Sequence, residues 1–299
     1  MRVEKFPKFI ENAERIEKAL EIVEKTYKKG IDIIKEDEFK DLYSKETVEA
    51  DLEWVRKEEE RFEKEDTPEQ KEARKVSTVF EAIIFDQVEA NNWLGETART
   101  IKSSRYDDIK NGIDLIVEFP EEELSASHLA LAVDVTLSSE LENKLRDIKR
   151  DIERGKMGTI KYFKSEALNI RGEKSNIPKV VIGTDYHTFT EVVDLWMSRD
   201  TAEGGAAKDK LVKHPIQFIL LEEILMQLEK FEDYARKIKQ EKVAEEYKRV
   251  KEIIEEVYRK KLVLYEELLN KKDVIVQKDG VYQAIQNYLD RLSSQKIRH

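Results

Sequence analysis

The stretch from Tyr106 to Thr136 reads YDDIKNGIDLIVEFPEEELSASHLALAVDVT and decides the fold of this chain. It holds two short apolar runs, GIDLIVEF at 112–119 and LALAVDVT at 129–136. Short β-rich runs bounded by turn residues are typical of buried strands. The Asn111-Gly112 pair at the start of the first run predicts a hairpin turn. We therefore expect two neighbouring strands at the centre of a sheet.

Each apolar run carries one carboxylate, Asp114 in the first and Asp134 in the second, where the pattern otherwise places apolar residues. An isolated ionised carboxylate in a dry site is costly unless it is paired, hydrogen-bonded or bound to a metal. Adjacent strands lie only about 5 Å apart, so these two carboxylates could share a divalent cation. The alternative is that both acids lie in water at strand ends, where each caps a turn.

The rest of the chain has the composition of long, exposed helices around a smaller packed centre. Charged residues make up 39% of the 299 residues, and there are only 10 glycines and 5 prolines. We expect an N-terminal helical region over 1–70, a mixed α/β core over 71–200 and a long-helix region over 201–299. Thr67-Pro68 predicts the start of a core helix, and Glu81 lies in the apolar half of that helix.

Further elements follow from local patterns. Residues 97–106 predict a first strand, and 177–184 predict a later strand that leads into a capped helix. The segment 201–210 is rich in Gly and Ala and predicts a linker or mobile loop. The apolar rhythm after residue 215 slips near 239–242, which indicates either one helix with a stutter or two helices. Residues 273–285 predict a short hairpin or loop.

Charge and cysteine usage restrict the function further. The net charge is −10, so a polyanion would need a local basic patch or metal ions. Between residues 141 and 164, eight Lys and Arg face four acids, which fits either phosphate contacts or pairing along a helix. The absence of cysteine excludes disulfides and thiolate sites. With no apolar leader and no membrane-length apolar segment, we expect a cytoplasmic protein.

The order of these parts resembles the restriction-endonuclease-like fold of the PD-(D/E)XK nuclease superfamily between about Val76 and Arg199. In that resemblance Asp114 matches the first metal-binding acid, and Asp134 matches the acid of the (D/E)xK element. Glu81 matches the helical acid that often precedes the sheet. Thr136 falls where the family usually has its catalytic lysine, and a threonine carries no positive charge.

The missing lysine leaves two possibilities open. A lysine from a neighbouring element could replace it, with Lys161 the first candidate, Lys144 the second and Lys110 the third. Otherwise the fold is kept without catalysis. The predicted catalytic residues are therefore Asp114, Asp134, Glu81, Thr136 and Lys161, of which the three acids would bind the metal.

The resemblance implies an α/β fold, with a mixed sheet of four or five strands and extensive N- and C-terminal helical regions. It implies a nuclease that uses Mg²⁺ or Mn²⁺ to hydrolyse phosphodiester bonds, with DNA favoured over RNA. The alternative is a catalytically inactive nuclease-like scaffold that binds nucleic acid or a protein partner through its helices. A third interpretation makes the long helices the main feature, as in an assembly protein, and they could also pair in a homodimer.

Overall fold

A computed structural model describes residues 5–29, 33–121, 125–134, 139–201 and 204–294. Within these ranges the helices are α1 (Lys5–Lys29), α2 (Lys40–Tyr43), α3 (Lys45–Glu65), α4 (Pro68–Ala90), α5 (Arg105–Asn111), α6 (Ser139–Glu153), α7 (Tyr186–Ser198), α8 (Gly204–Val212), α9 (Ile216–Lys237), α10 (Glu241–Tyr265), α11 (Leu269–Val276) and α12 (Gly280–Ser294). The strands are β1 (Arg99–Lys102), β2 (Leu115–Pro120), β3 (Ala126–Asp134), β4 (Gly158–Ser165), β5 (Ile170–Ile177) and β6 (Lys179–Gly183).

The main sheet of the described residues has four strands in the order β1-β2-β3-β6. Strand β2 is antiparallel to both β1 and β3, whereas β3 and β6 run parallel. Strands β4 and β5 form a separate two-stranded sheet. The fold is therefore mixed α/β, with helical regions both before and after the core along the chain, as the sequence predicted. The segment IKYF at 160–163 lies in β4, outside the main sheet.

The central strands are apolar on both faces because the main sheet is covered on both sides. Leu115 and Val117 of β2 belong to a large apolar cluster, which also contains residues of helices as distant in sequence as α1 and α12. Ile116, which points to the opposite face, packs in a second cluster with residues of β4 and the N-terminal region. A strand buried on both faces has no polar alternation, which explains the continuous run LIVEF.

Both edges of the main sheet are covered by groups from other elements. At the β6 edge, Gln227 of α9 accepts from the backbone N–H of Val181 (2.8 Å) and donates to its carbonyl (2.6 Å). Glu223 of the same helix accepts from the N–H of Gly183 (2.9 Å). At the β1 edge, the N–H of Ile34 donates to the carbonyl of Lys102 (3.3 Å). Unpaired strand edges invite aggregation, and these contacts remove most of that exposure.

Helix α4 begins where the sequence predicted. Thr67 and Gln70 form a capping box, and Pro68 takes the first helical position. The helix ends at Ala90. Trp93, just beyond this end, is fully buried, and its indole N–H donates to the carbonyl of Leu211 (3.2 Å).

The predicted hairpin at Asn111-Gly112 is wrong. Ser104 accepts from the N–H of Asp107 (3.1 Å) and starts the short helix α5, which interrupts the run between β1 and β2. Gly112 ends that helix in the left-handed conformation, with φ of 57°. A glycine in this conformation is as typical of a helix end as of a tight hairpin, so the dipeptide alone could not separate the two.

We expect Gly112→Ala to lower the free energy of unfolding by about 1–2 kcal/mol, the usual penalty for an alanine in the left-handed region. The added Cβ would also lie 3.2 Å from the flexible ammonium of Lys179. Gly112→Asn should lose less, because asparagine tolerates this conformation. Urea unfolding of the three proteins measures the difference. Equal stability of the alanine and asparagine variants would contradict the assignment of a left-handed helix end.

Three expectations for the C-terminal region need correction or refinement. The segment predicted as a linker forms helix α8 from Gly204 onward, because Ala207 and Leu211 are buried. The segment 273–285 forms parts of α11 and α12, where Asp279 caps α12 by accepting from Val281 and Tyr282. The slip in rhythm marks two helices, α9 and α10, and Lys239 between them has φ of 65°. Within the described ranges, no helix is long and apolar enough to cross a membrane.

Candidate functional site

Asp114 lies directly before β2, at the N-terminal end of a central strand. Its backbone N–H donates to the carbonyl of Leu131 (2.9 Å), which extends the pairing of β2 with β3 by one residue. Its Oδ2 accepts from the N–H of Val133 (2.7 Å). The residue is only 8% exposed. The carboxylate is thus held against the backbone of β3, one residue before Asp134.

Glu81 and Lys102 face the same place from α4 and β1. The Lys102 ammonium donates to Glu81 Oε2 (2.8 Å) and to the backbone carbonyl of Asp114 (3.1 Å). Both side chains are largely buried, with 13% of Lys102 and 10% of Glu81 exposed. Glu81 therefore lies near Asp114 in the folded chain, and Lys102, which the sequence analysis missed, lies between the two residues.

Asp108 of α5 is a further acid, which the sequence analysis did not single out. It pairs with Arg105 (2.6 Å) and lies near enough to Asp114 for each carboxyl group to affect the pKa of the other. Burial works to raise the pKa of Asp108, but Lys102 and Arg105 outweigh it and hold the pKa below its ordinary value. Asp107 and Asp108 lie in a short polar helix, where acidic residues usually face solvent. The local sequence therefore does not distinguish Asp108 from an ordinary surface acid.

The surroundings of Asp114 compensate the charge of its carboxyl group only in part. Burial, followed by the charges of Glu81 and Asp108, raises the pKa of Asp114 well above its ordinary value, although Lys144 and Lys102 oppose the shift. A carboxyl with a raised pKa retains its proton unless a cation takes the place of that proton. Such groups cluster at functional sites.

A cavity of about 460 Å³ opens onto these groups. Glu81, Asp108 and Asp114 line it together with Val133 and Lys144. The Lys144 ammonium donates to the carbonyl of Val133 (2.9 Å). Near the same cluster, burial raises the pKa of Tyr27, whose hydroxyl has no hydrogen-bond partner among the described residues. The cavity thus has an acidic floor with two lysines beside it.

Of the three lysine candidates, only Lys144 lines this cavity. Lys161, the first choice, pairs instead with Asp51 and lies 5.2–5.5 Å from the ring centres of Tyr43, Tyr106 and Tyr162. Its strand belongs to the second sheet, so the expectation that it reaches the acids is wrong. Lys110 lies over the ring of Trp54, 4.9 Å from its centre.

Three of the four basic residues of α6 pair along their own helix. Arg146 pairs with Glu142 (3.5 Å), Lys149 with Glu153 (2.9 Å) and Arg150 with Asp147 (2.8 Å). These are the i,i+4 and i,i+3 pairs of an exposed helix face. Among the described basic residues between 141 and 164, Lys144 alone lines the cavity. For α6, pairing along the helix is therefore the alternative that the structure favours.

Two of the predicted site residues, Asp134 and Thr136, lie partly or wholly outside the part of the chain that the structure describes. The backbone of Asp134 ends β3 opposite Gly183 of β6, while its side chain lies outside the described part of the chain. Thr136 lies outside it entirely. The backbone pairing does establish that Asp114 and Asp134 belong to adjacent strands.

The oxygen ligands at this site suit a hard divalent cation such as Mg²⁺ or Mn²⁺ in chemical type. Asp114 and Glu81 would hold it, since the raised pKa of Asp114 marks a charge that a cation would compensate. In number they fall short, because the side chains of the described ranges contain no group of three or more His, Cys, Asp or Glu placed to hold a metal ion. A third protein ligand would have to come from beyond those side chains.

Comparison with known proteins does not assign the chain to a family. No family model matches the chain. Searches among curated proteins and among solved structures found no match either. Any functional conclusion therefore depends on the residues and geometry of the site itself.

Proposed function

We propose that this protein hydrolyses phosphodiester bonds of nucleic acid, DNA ahead of RNA, with Mg²⁺ or Mn²⁺ bound at Asp114 and Glu81. The observation that carries the proposal is the position of Asp114. It is a buried carboxylate with a raised pKa at the start of a central strand, and it faces a helical acid and a lysine across a cavity. A buried acid with a structural role alone would be expected to have its charge compensated by a partner in the chain.

The order of elements also supports the proposal. An acid-bearing helix precedes the antiparallel strands β1, β2 and β3, and α6 with the separate β4-β5 sheet then connects β3 to the parallel fourth strand, β6. The resemblance to the PD-(D/E)XK superfamily implies a helix, three strands, a helix and a fourth strand in this order, with acids at the positions of Asp114 and Asp134, and it does not account for the β4-β5 sheet. The likeness is one of topology and of acid positions, and the threonine at position 136 remains a departure from it.

In the proposed reaction, Lys144 takes the role of the lysine that position 136 lacks. Its ammonium is held at the carbonyl of Val133, one residue before Asp134, and lines the cavity beside Asp114. There it would stabilise the negative charge that develops on the phosphate. A bound divalent cation would supply an activated water and further charge neutralisation. Lys102 acts as a positioning residue, because it holds the carboxylate of Glu81 against the site.

One observation favours the alternative of an inactive scaffold. The Asp114 carboxyl already has partners within the chain, the N–H of Val133 and the carboxylate of Asp108. A protonated Asp114 that donates to Asp108 would satisfy this cluster without a metal. In that case the fold would bind nucleic acid or a protein without cleaving it.

The test is metal-dependent cleavage together with metal-dependent stability. With Mn²⁺, the purified protein should cleave labelled DNA, and Mn²⁺ should raise the melting temperature because a ligand of the native state stabilises it. Absence of both effects, on single- and double-stranded DNA and RNA, would favour the inactive scaffold.

Replacing Lys144 by methionine should lower the Mn²⁺-dependent rate by about 10² to 10³, the usual loss for one donor to a developing oxyanion. The helix should remain folded, because methionine keeps the apolar stem. Lys149→Met is the matched control, a lysine of the same helix that pairs with Glu153 and does not line the cavity. Equal rates for the two variants would remove Lys144 from the mechanism.

A further inference from the structure

The shape of the cavity bears on which substrate can reach the acids. Its volume is about 460 Å³, within the range of pockets that take small ligands. A single nucleotide is a ligand of this size class.

Helix α3 is tied by ion pairs to both walls of the cavity. One wall is α4, which contributes Gln70, Ser77 and Thr78, and the other is α5, which contributes Arg105 and Ile109. Glu59 of α3 pairs with Arg105 of α5 (2.8 Å). At the other side Glu63 pairs with Lys71 of α4 (2.6 Å), and Asp66, directly after α3, pairs with Arg74 of α4 (2.5 Å).

The end of α3 also brings planar groups to the cavity. The ring of Phe62 lines it, and the guanidinium of Arg74 lies 4.1 Å from the centre of that ring. Unpaired bases stack on aromatic rings and on guanidinium planes. The neutral polar side chains of Gln70, Ser77 and Thr78 on the facing helix suit the edges of a base, which carry donors and acceptors but no charge.

The charge of α3 acts against a duplex at the same place. The helix carries nine acidic and five basic residues. The two phosphate rows of a duplex laid across this helix would meet net repulsion, whereas one nucleotide that enters the cavity places a single phosphate near Lys144, which lines it. The charge of α3 and the planar groups of the cavity therefore favour the same substrate.

We propose that the cavity takes one unpaired nucleotide at a time, so that the substrate is single-stranded nucleic acid or a single-stranded tail, with Phe62 of α3 as the stacking residue. This inference rests on the proposed function. A duplex would have to unpair before cleavage, and unpairing costs a few kcal/mol. Because few phosphates are contacted, the affinity should depend only weakly on salt, with a slope of about −1 in log–log form.

The experiment compares three labelled DNAs of one sequence with Mn²⁺: a single strand, a blunt duplex and a duplex with a single-stranded tail. We expect the single strand and the tail to be cleaved at least about tenfold faster than the blunt duplex. Phe62→Ala should weaken binding of the single strand about tenfold, as the loss of one stacking residue typically does. Tyr186→Ala is the control, since Tyr186 is an exposed aromatic residue that does not line the cavity.

The outcomes separate this inference from the proposed function. Internal cleavage of the blunt duplex at the rate of the single strand would overturn the inference and leave the nuclease proposal standing. Unchanged single-strand binding by Phe62→Ala, or a salt slope as steep as that of a protein contacting many phosphates, would also overturn it. Absence of cleavage of every substrate would overturn the proposed function, and this inference with it.

Discussion

Asp114→Asn should abolish Mn²⁺-dependent cleavage and at the same time make the protein more stable at pH 8. The loss of activity follows because an amide is a poor ligand for a hard cation compared with a carboxylate. The gain in stability follows because the buried carboxylate lies beside Glu81 and Asp108. An asparagine removes the charge, and its amide oxygen can still accept from the N–H of Val133.

The sign of the pH dependence can be stated in advance. The pKa of Asp114 is raised in the folded protein. Between the ordinary carboxyl pKa and that raised value, the folded protein retains a proton that the unfolded chain has released. Stability contributed by this group is therefore complete at low pH and is lost as the pH rises through the folded pKa. Asp114→Asn should gain at least about 1 kcal/mol at pH 8 and little near pH 4.

Asp107→Asn is the matched control, another buried aspartate close by. Both of its carboxylate oxygens accept hydrogen bonds, Oδ1 from the N–H of Lys161 (2.8 Å) and Oδ2 from the N–H of Tyr162 (3.0 Å). An asparagine would turn an N–H₂ group toward one of these donors, so this variant should be destabilised. If both variants lose stability at pH 8, the site of Asp114 is an ordinary structural one.

Lys102→Met should lower the free energy of unfolding by about 3–5 kcal/mol, the range for removing one partner of a buried ion pair. Burial alone would lower the pKa of Lys102, but the charges of Glu81 and Asp108 outweigh it and raise the pKa. The ammonium therefore stays charged throughout the working pH range. Without it, Glu81 and Asp114 would face each other with no cation from β1 between them.

The loss of stability in Lys102→Met should be smaller at pH 5 than at pH 8, because Asp114, whose pKa is raised, takes up a proton as the pH falls and the repulsion is then relieved. The double variant Lys102→Met/Glu81→Gln should recover part of the loss, which a thermodynamic cycle measures. Lys164→Met is the control, since Lys164 pairs with Glu166 at an exposed position (2.7 Å) and should matter by less than about 1 kcal/mol. A similarly small effect for Lys102 would exclude a buried charge cluster.

Much of the local structure could be predicted because it depends on neighbouring residues. Thr67-Pro68 starts α4, and the apolar runs around Asp114 and Asp134 form adjacent strands, as their patterns predicted. Errors occurred where one pattern serves two structures. Asn111-Gly112 suits a hairpin and a helix end alike, and the Gly-rich segment after Thr201 forms α8 once its apolar residues find a core.

The site was predictable only in part, for a related reason. Asp114 and Glu81 stood out because acids interrupt apolar patterns there, and both line the cavity. Asp108 and Lys102 lie in polar or short elements, where a charged side chain gives no such contrast. The first choice of lysine was also wrong, because Lys161 was expected on a strand or loop near the acids, whereas its strand belongs to the second sheet.

The amino-acid sequence by itself determined the central strands, the helix that carries Glu81 and the acids that these elements bear, because such features arise from spacing and propensity along the chain. Only the tertiary structure decided which charges meet. Lys102 reaches Glu81 across 21 positions of sequence, and Gln227 covers an edge at Val181 from 46 positions away. Contacts of this kind depend on how the helices and the sheet pack, and no local pattern encodes which side chains that packing brings together.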